Sequence, residues 1–157
     1  MLEDVVNFNE VPIDDAEFTE KCRLELNQKG VVTLHNFLKY ETVEELIKEA
    51  KTRSRLAYFT DSTHNVYLTP KNENLSPEHV FNRQLNSSKG CITTDQIPEN
   101  SKLKKLYFSD IFKNFISRVV EEEALYEYAD SLSSINVHYA SEGQELNWHF
   151  DNSKFAI

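Results

Sequence analysis

Glycine is the scarcest turn-forming residue in this sequence, with three in 157 positions alongside four prolines, two cysteines, one tryptophan and one methionine. Two cysteines, Cys22 and Cys91, are too few for a disulfide framework. Neither has a second Cys or a His nearby at ligand spacing, so both are expected to be structural thiols of a reduced, cytoplasmic protein. Basic residues are also in deficit: 17 Lys and Arg face 26 Asp and Glu, giving a net charge of −9. That balance excludes the basic face on which nucleic acids or anionic membranes dock. No apolar run approaches the ~20 residues of a membrane span. The opening MLEDVVNFNE is acidic and lacks the basic, apolar and small-residue order of a secretory signal. Internal repeats and low-complexity tracts are missing too, and the length suits a single domain with one core.

What is present reads as helices first and strands last. Asp14 stands three residues before Glu17 and Gly30 follows as a stop, so Asp15 to Lys29 is predicted as a helix. The β-branched run Val31 to Leu34 predicts a strand. Thr42 and Glu45 repeat the capping spacing around Val43, Leu46, Ile47 and Ala50, which predicts a second helix from about Val43 to Ser54. From Ala57 to Asn100, aromatic residues are scattered among polar ones and three prolines interrupt, which predicts an ordered covering segment. Arg83 lies in it, either as a solvated surface arginine or as a bidentate clamp for a substrate carboxylate. Ser109 caps the clearest helix, Asp110 to Glu123, whose Phe112, Phe115, Ile116, Val119 and Val120 form one apolar stripe for packing on a sheet. Glu121 to Glu123 reads as its solvated end.

The last stretch carries the chemistry. From a strand starting near Ser133, Ile135, Val137 and Tyr139 alternate with Asn136, His138 and Ala140, and a polar turn follows at Ser141 to Gln144. The next extended run sets Asn147, His149 and Asp151 on one face, with Trp148 and Phe150 on the other. An imidazole and a carboxylate two residues apart on a strand reach one ion from the same side and leave its far side open. They are two of the three ligands in the facial triad of non-haem Fe(II) oxygenases. A lone His-x-Asp is a weak signal, and the strand-turn-strand context gives it weight. His138 is displaced from this face, while His35, His64 and His79 lack a carboxylate at ligand spacing and read as ordinary polar residues.

The run Tyr139-x3-Gly143-x5-His149-x-Asp151 resembles the segment of Fe(II)/2-oxoglutarate-dependent dioxygenases, prolyl hydroxylases among them, that holds the first two metal ligands. The longer string LNWHFDNSKFAI is similar to a branch containing small-molecule hydroxylases and the related radical amino-acid halogenases. Those halogenases replace the carboxylate ligand with a small residue so that chloride takes its position; Asp151 is kept here, which implies hydroxylation or another oxidation over halogenation. The opening of strand, loop and helix that starts at Gly30-Val31-Val32 and runs through the helix predicted from about Val43 to Ser54 is similar to the N-terminal layout of phytanoyl-CoA-hydroxylase-like oxygenases.

The resemblance implies an α+β fold in one domain, 1–157. Helices over about 13–130 would pack on the first strands of a double-stranded β-helix, or jelly roll, that starts near 131 and is incomplete at the C-terminus. It implies Fe(II) on His149 and Asp151, and 2-oxoglutarate as cosubstrate near Tyr139 and Asn136. The substrate would be a small molecule such as an amino acid, near Arg83 and Asn152. Tyr139 shares a face with Ile135 and Val137, so core packing is an alternative for it. Turn or edge hydrogen bonding is the alternative for Asn136 and Asn152. A distal His and an Arg for the far carboxylate of 2-oxoglutarate are expected beyond Ile157, so these residues alone should bind Fe(II) weakly and turn over nothing. A different class of function is a non-catalytic interaction module whose exposed sheet edge pairs with a partner or a second copy. A third is a cupin-like metal protein independent of 2-oxoglutarate.

Overall fold

In the computed structural model, which describes residues 1–157, the chain forms four α-helices and one antiparallel sheet of three strands, an α+β arrangement. The helices are α1 (Ala16–Lys29), α2 (Tyr40–Arg53), α3 (Lys102–Tyr107) and α4 (Asp110–Val119). The strands are β1 (Tyr58–His64), β2 (Leu85–Ile92) and β3 (Val137–Tyr139), in the order β1-β2-β3. Two compact units result, each made of two stretches of chain. Residues Met1–Arg55 and Thr93–Asn136 form a helical unit; Leu56–Ile92 and Val137–Ile157 form a sheet unit. No helix is long and apolar enough to cross a membrane.

In the helical unit, α1 begins where the Asp15 carboxylate accepts from the Phe18 backbone N–H at 2.7 Å, satisfying one of the donors a helix start leaves open. It stops at Gly30, whose φ of 73° is left-handed and which donates its N–H to Leu26 O. The cap is thus Asp15, one residue later than the Asp14 spacing predicted. Helix α2 starts at Tyr40, earlier than predicted, because Thr42 does not cap it. Thr42 is fully buried in the first turn and donates its hydroxyl to Asp4 O at 3.1 Å, while Glu45 pairs with Lys102 at 3.0 Å.

The strand predicted at Val31 to Leu34 does not form. No neighbouring segment offers it a ladder, and Val31 stays exposed. The only β pairing nearby is an isolated bridge between Val6 and Leu38, flanked by Asn7 N–H to Phe37 O and Lys39 N–H to Val5 O. The core of the unit gathers Val5, Val6, Val11, Ile13 and Ile97 with Phe115, Ile116 and Val119 of α4.

Helix α4 opens as its sequence predicts, with Ser109 Oγ accepting from Phe112 N–H at 3.3 Å. Its stripe packs against α1, where the Phe115 and Phe18 rings lie 6.3 Å apart, and Phe112 meets Phe37 at 5.8 Å. The stripe predicted to pack on a sheet is thus met, within its own unit, by helix α1. It ends at Val119 because Glu121 turns left-handed, at φ 57°. That turn brings the Glu121 carboxylate to Arg23 Nη1 at 2.9 Å and Asn27 Nδ2 at 3.0 Å on α1. The residue read as a solvated helix end is a tie between two helices.

In the sheet unit, β1 and β2 pair in register from Tyr58 opposite Cys91 to His64 opposite Leu85. Both strands lie inside the stretch predicted as an ordered covering segment, and inside the range 13–130 predicted as helical. Side-chain periodicity gave no sign of β1, because six of its seven residues are exposed and the backbone ladder alone defines it. β3 adds on the other side of β2, with Tyr139 opposite Gly90 and Val137 opposite Ile92.

Candidate functional site

After β3 the chain makes the predicted polar turn: Gly143 takes a left-handed φ of 84°, and Gln144 N–H donates to Ser141 O. Residues 145–150 then continue along β2 in the direction of β3, toward the end of the β1-β2 hairpin that the 65–84 connection joins. Ser88 N–H donates to Glu145 O at 2.7 Å, Asn147 Nδ2 to Asn86 O at 2.9 Å and Phe150 N–H to Val66 O at 2.8 Å. These are single ties, not a ladder, and the strand predicted through Asn147, His149 and Asp151 is absent. The reason is local: Asn147 sits at φ 52°, a left-handed conformation that breaks the alternation of an extended chain. Trp148 consequently points to solvent, whereas Phe150 stacks on Tyr67 with centroids 5.5 Å apart.

Despite that break, His149 and Asp151 still face each other. His149 Nε2 lies 3.6 Å from Asp151 Oδ1, and its Nδ1 lies 3.0 Å from the Asn147 carbonyl. A carbonyl only accepts, so Nδ1 carries a proton in that contact; in the neutral ring Nε2 then holds the lone pair that a cation would take. Holding one ring nitrogen on a backbone carbonyl is how metal-binding histidines are oriented. A cation about 2.1 Å from each atom would see them at roughly 120°. An octahedral right angle asks for a separation of about 3.0 Å, a closure of roughly half an ångström. The His149 side chain is 30 % exposed and that of Asp151 61 %, so an ion reaches them from solvent.

His64, at the end of β1, was read as an ordinary polar residue, yet it packs edge-on against His149 with ring centroids 5.3 Å apart. Its Nδ1 and Nε2 lie 3.0 and 3.1 Å from the carbonyl oxygens of Asn65 and Leu146. Both nitrogens are directed at backbone, so His64 supports the His149 ring without being presented as a ligand. No group of three or more His, Cys, Asp or Glu is arranged to hold a metal ion. His149 and Asp151 thus stand as a pair, roughly half an ångström wider apart than adjacent octahedral positions ask.

The remaining sequence candidates are placed as follows. Tyr139 is half-buried on β3 opposite Gly90, and by strand alternation it lies on the sheet face opposite that of His64 and His138. Asn136 belongs to the helical unit and donates its amide to Ser133 O at 3.1 Å. Arg83 is exposed in the connection between β1 and β2, and its backbone N–H donates to His79 O. Asn152 is exposed directly after Asp151. His138, opposite Cys91, has its imidazole held below its ordinary range by desolvation and by the Lys89 charge. Burial pushes the Cys22 and Cys91 thiols up, so neither offers the thiolate that cysteine chemistry requires.

The sequence missed His64 and Tyr67, the two rings that back His149 and Phe150. Both are far from them along the chain, and no local spacing carries that information. No protein-family model matches the chain, and no curated protein or solved structure gives a significant match to it.

Proposed function

We propose that His149 and Asp151 are two ligands of a non-haem Fe(II) site in a 2-oxoglutarate-dependent oxygenase that hydroxylates a small molecule such as an amino acid. In this reading the sheet unit supplies the first strands of a jelly roll, and His149 and Asp151 leave the third ligand position and the anchoring of 2-oxoglutarate to other groups. The observation that carries it is the 3.6 Å approach of Nε2 to Oδ1, with Nδ1 committed to a backbone carbonyl. Bound iron and 2-oxoglutarate would supply the oxidising chemistry, in which O2 is consumed, the keto acid becomes succinate and CO2, and a substrate C–H becomes C–OH. The chain's own part is to hold the metal and keep the ring tautomer fixed. Asn147 O sets the tautomer, the His64 ring braces the imidazole, and the Phe150 stack on Tyr67 anchors the backbone between the two ligands.

Anaerobic titration with Mn(II), followed by electron paramagnetic resonance, tests this. Weak 1:1 binding is expected, lowered at least tenfold by either His149→Ala or Asp151→Ala, with no succinate formed from 2-oxoglutarate by the wild-type chain under Fe(II). Mn(II) affinity indifferent to both substitutions would defeat the metal assignment. It would favour the interaction-module reading, which rests on the exposed, seven-residue outer strand β1.

A further inference from the structure

The connection between β1 and β2, Asn65 to Gln84, is not a loose loop. Asn65 is 1 % exposed and Asn82 3 %, and each side chain holds several backbone groups. Asn65 Oδ1 accepts from the N–H groups of Tyr67 and Thr69 at 3.0 and 3.2 Å, one on either side of Leu68. Leu68 is thereby kept at φ 54°, a conformation that costs a leucine about 1–2 kcal/mol. Asn82 Nδ2 donates to the carbonyls of Asn72, Leu75 and Ser76 at 2.9–3.1 Å, and its Oδ1 accepts from Asn72 N–H. Strain held this firmly in a polar connection asks for a purpose.

What the two asparagines build is a groove of about 870 Å3, within the range of small-molecule sites. Thr63, His64, Thr69, Lys71 and Gln84 give it polar groups, and strained Leu68 forms part of its apolar wall. His64 is shared: the same ring that lines the groove packs against His149. The groove also reverses the charge of the chain. Although Asp and Glu outnumber Lys and Arg by 26 to 17, no carboxylate lines it, and Lys71 does. Lys71 Nζ has only a loose partner in Glu73 at 3.7 Å, with both side chains more than half exposed, a pair weak enough to yield to an incoming anion. Gln84 donates one amide N–H to Asn82 O at 2.8 Å, which fixes its head and leaves its carbonyl for a ligand's donor.

We infer that this groove seats a small carboxylate-bearing substrate, with Lys71 pairing to the carboxylate and Gln84 and Thr63 to its polar substituents. Its role as a substrate seat rests on the oxygenase reading above, whereas its binding of a carboxylate does not. The chain is titrated without metal, by amide and side-chain NMR, against three probes that share an alkyl chain: norvaline, pentanoate and butylamine. Saturable shifts at Thr69, Lys71 and Gln84 are expected with norvaline and pentanoate and not with butylamine. Lys71→Gln, a surface change that leaves the fold intact, should weaken them roughly fivefold, as loss of an exposed ion pair predicts, while Lys89→Gln on β2 should not. Equal binding of butylamine, or shifts insensitive to Lys71→Gln, would overturn the proposal. Asp151→Ala separates the two readings: retained norvaline shifts with lost Mn(II) binding support both. Mn(II) binding at His149 and Asp151 with no saturable groove shifts strikes the groove alone.

Discussion

Asn65 and Asn82 are ordinary polar letters among the Asn, Ser and Thr of the β1-β2 connection, and composition cannot tell a buried amide from a solvated one. Their importance lies in counting partners. Asn65 Nδ2 donates to the Thr69 carbonyl and hydroxyl at 3.0 Å and to the Phe81 carbonyl, while Oδ1 accepts from two N–H groups. Asn65→Asp keeps the shape and the acceptor but aims a charged oxygen at two carbonyls. It should therefore destabilise the sheet unit by about 3 kcal/mol in urea denaturation. Asn74→Asp, on an exposed side chain of the same connection, should stay within about 0.5 kcal/mol, and equal losses in the two variants would show that burial is not what matters. The His149–Asp151 pair was legible for the opposite reason: its two members are two residues apart, so almost any local backbone keeps them close, even one broken at Asn147. His64 was not legible, since only the hairpin brings it to His149.

At the scale of elements, what could be read was whatever one helix decides for itself. Helix α4 announced its start through Ser109 and its buried face through Phe115, Ile116 and Val119, and both are found. Its end could not be read, because the left-handed turn at Glu121 is held by Arg23 and Asn27, residues nearly a hundred positions earlier. β1 was missed because six of its seven side chains are exposed, and Val31 to Leu34 was misread because β-branching is a preference that needs a neighbouring strand. The α1-α4 packing makes a direct claim about energy. Phe115 is buried against Phe18, so Phe115→Ala should cost about 3–5 kcal/mol by transfer and cavity terms together. Ile111, on the same helix but 38 % exposed, should cost well under half of that as Ile111→Ala. Chemical denaturation followed by far-ultraviolet circular dichroism measures both, and comparable losses would mean that α4 does not pack through its Phe115 face.

For the molecule as a whole, the net charge of −9 and the local ion pairs pull its acid response in opposite directions. Protonating carboxylates relieves self-repulsion, but it also dissolves ties that order the helices. Glu20, Glu25, Glu121 and Glu127 all lie in the helical unit, and each is held below its ordinary value near 4.5. Hydrogen bonds from Arg23, Lys29, Asn27 and Lys113, respectively, are the leading causes. Between those lowered values and 4.5 the unfolded chain binds more protons than the folded one, so stability rises with pH across that window. The ties are at full strength above about 4.5 and fade as the pH drops through the folded values. Diffuse repulsion is screened over roughly 8 Å at physiological salt, whereas these partners sit within 3.0 Å of the carboxylates, so the local loss dominates. The melting temperature at 0.15 M salt is therefore expected to be flat from pH 7 to 5 and to fall from 4.5 to 3. Glu121→Gln, which removes the charge joining α1 to the end of α4, should melt lower than wild type at pH 7, and the two should converge as the pH drops through the lowered value of Glu121. Melting curves that stay parallel throughout the acid fall of the wild type would mean that the Glu121 tie contributes nothing to the acid response.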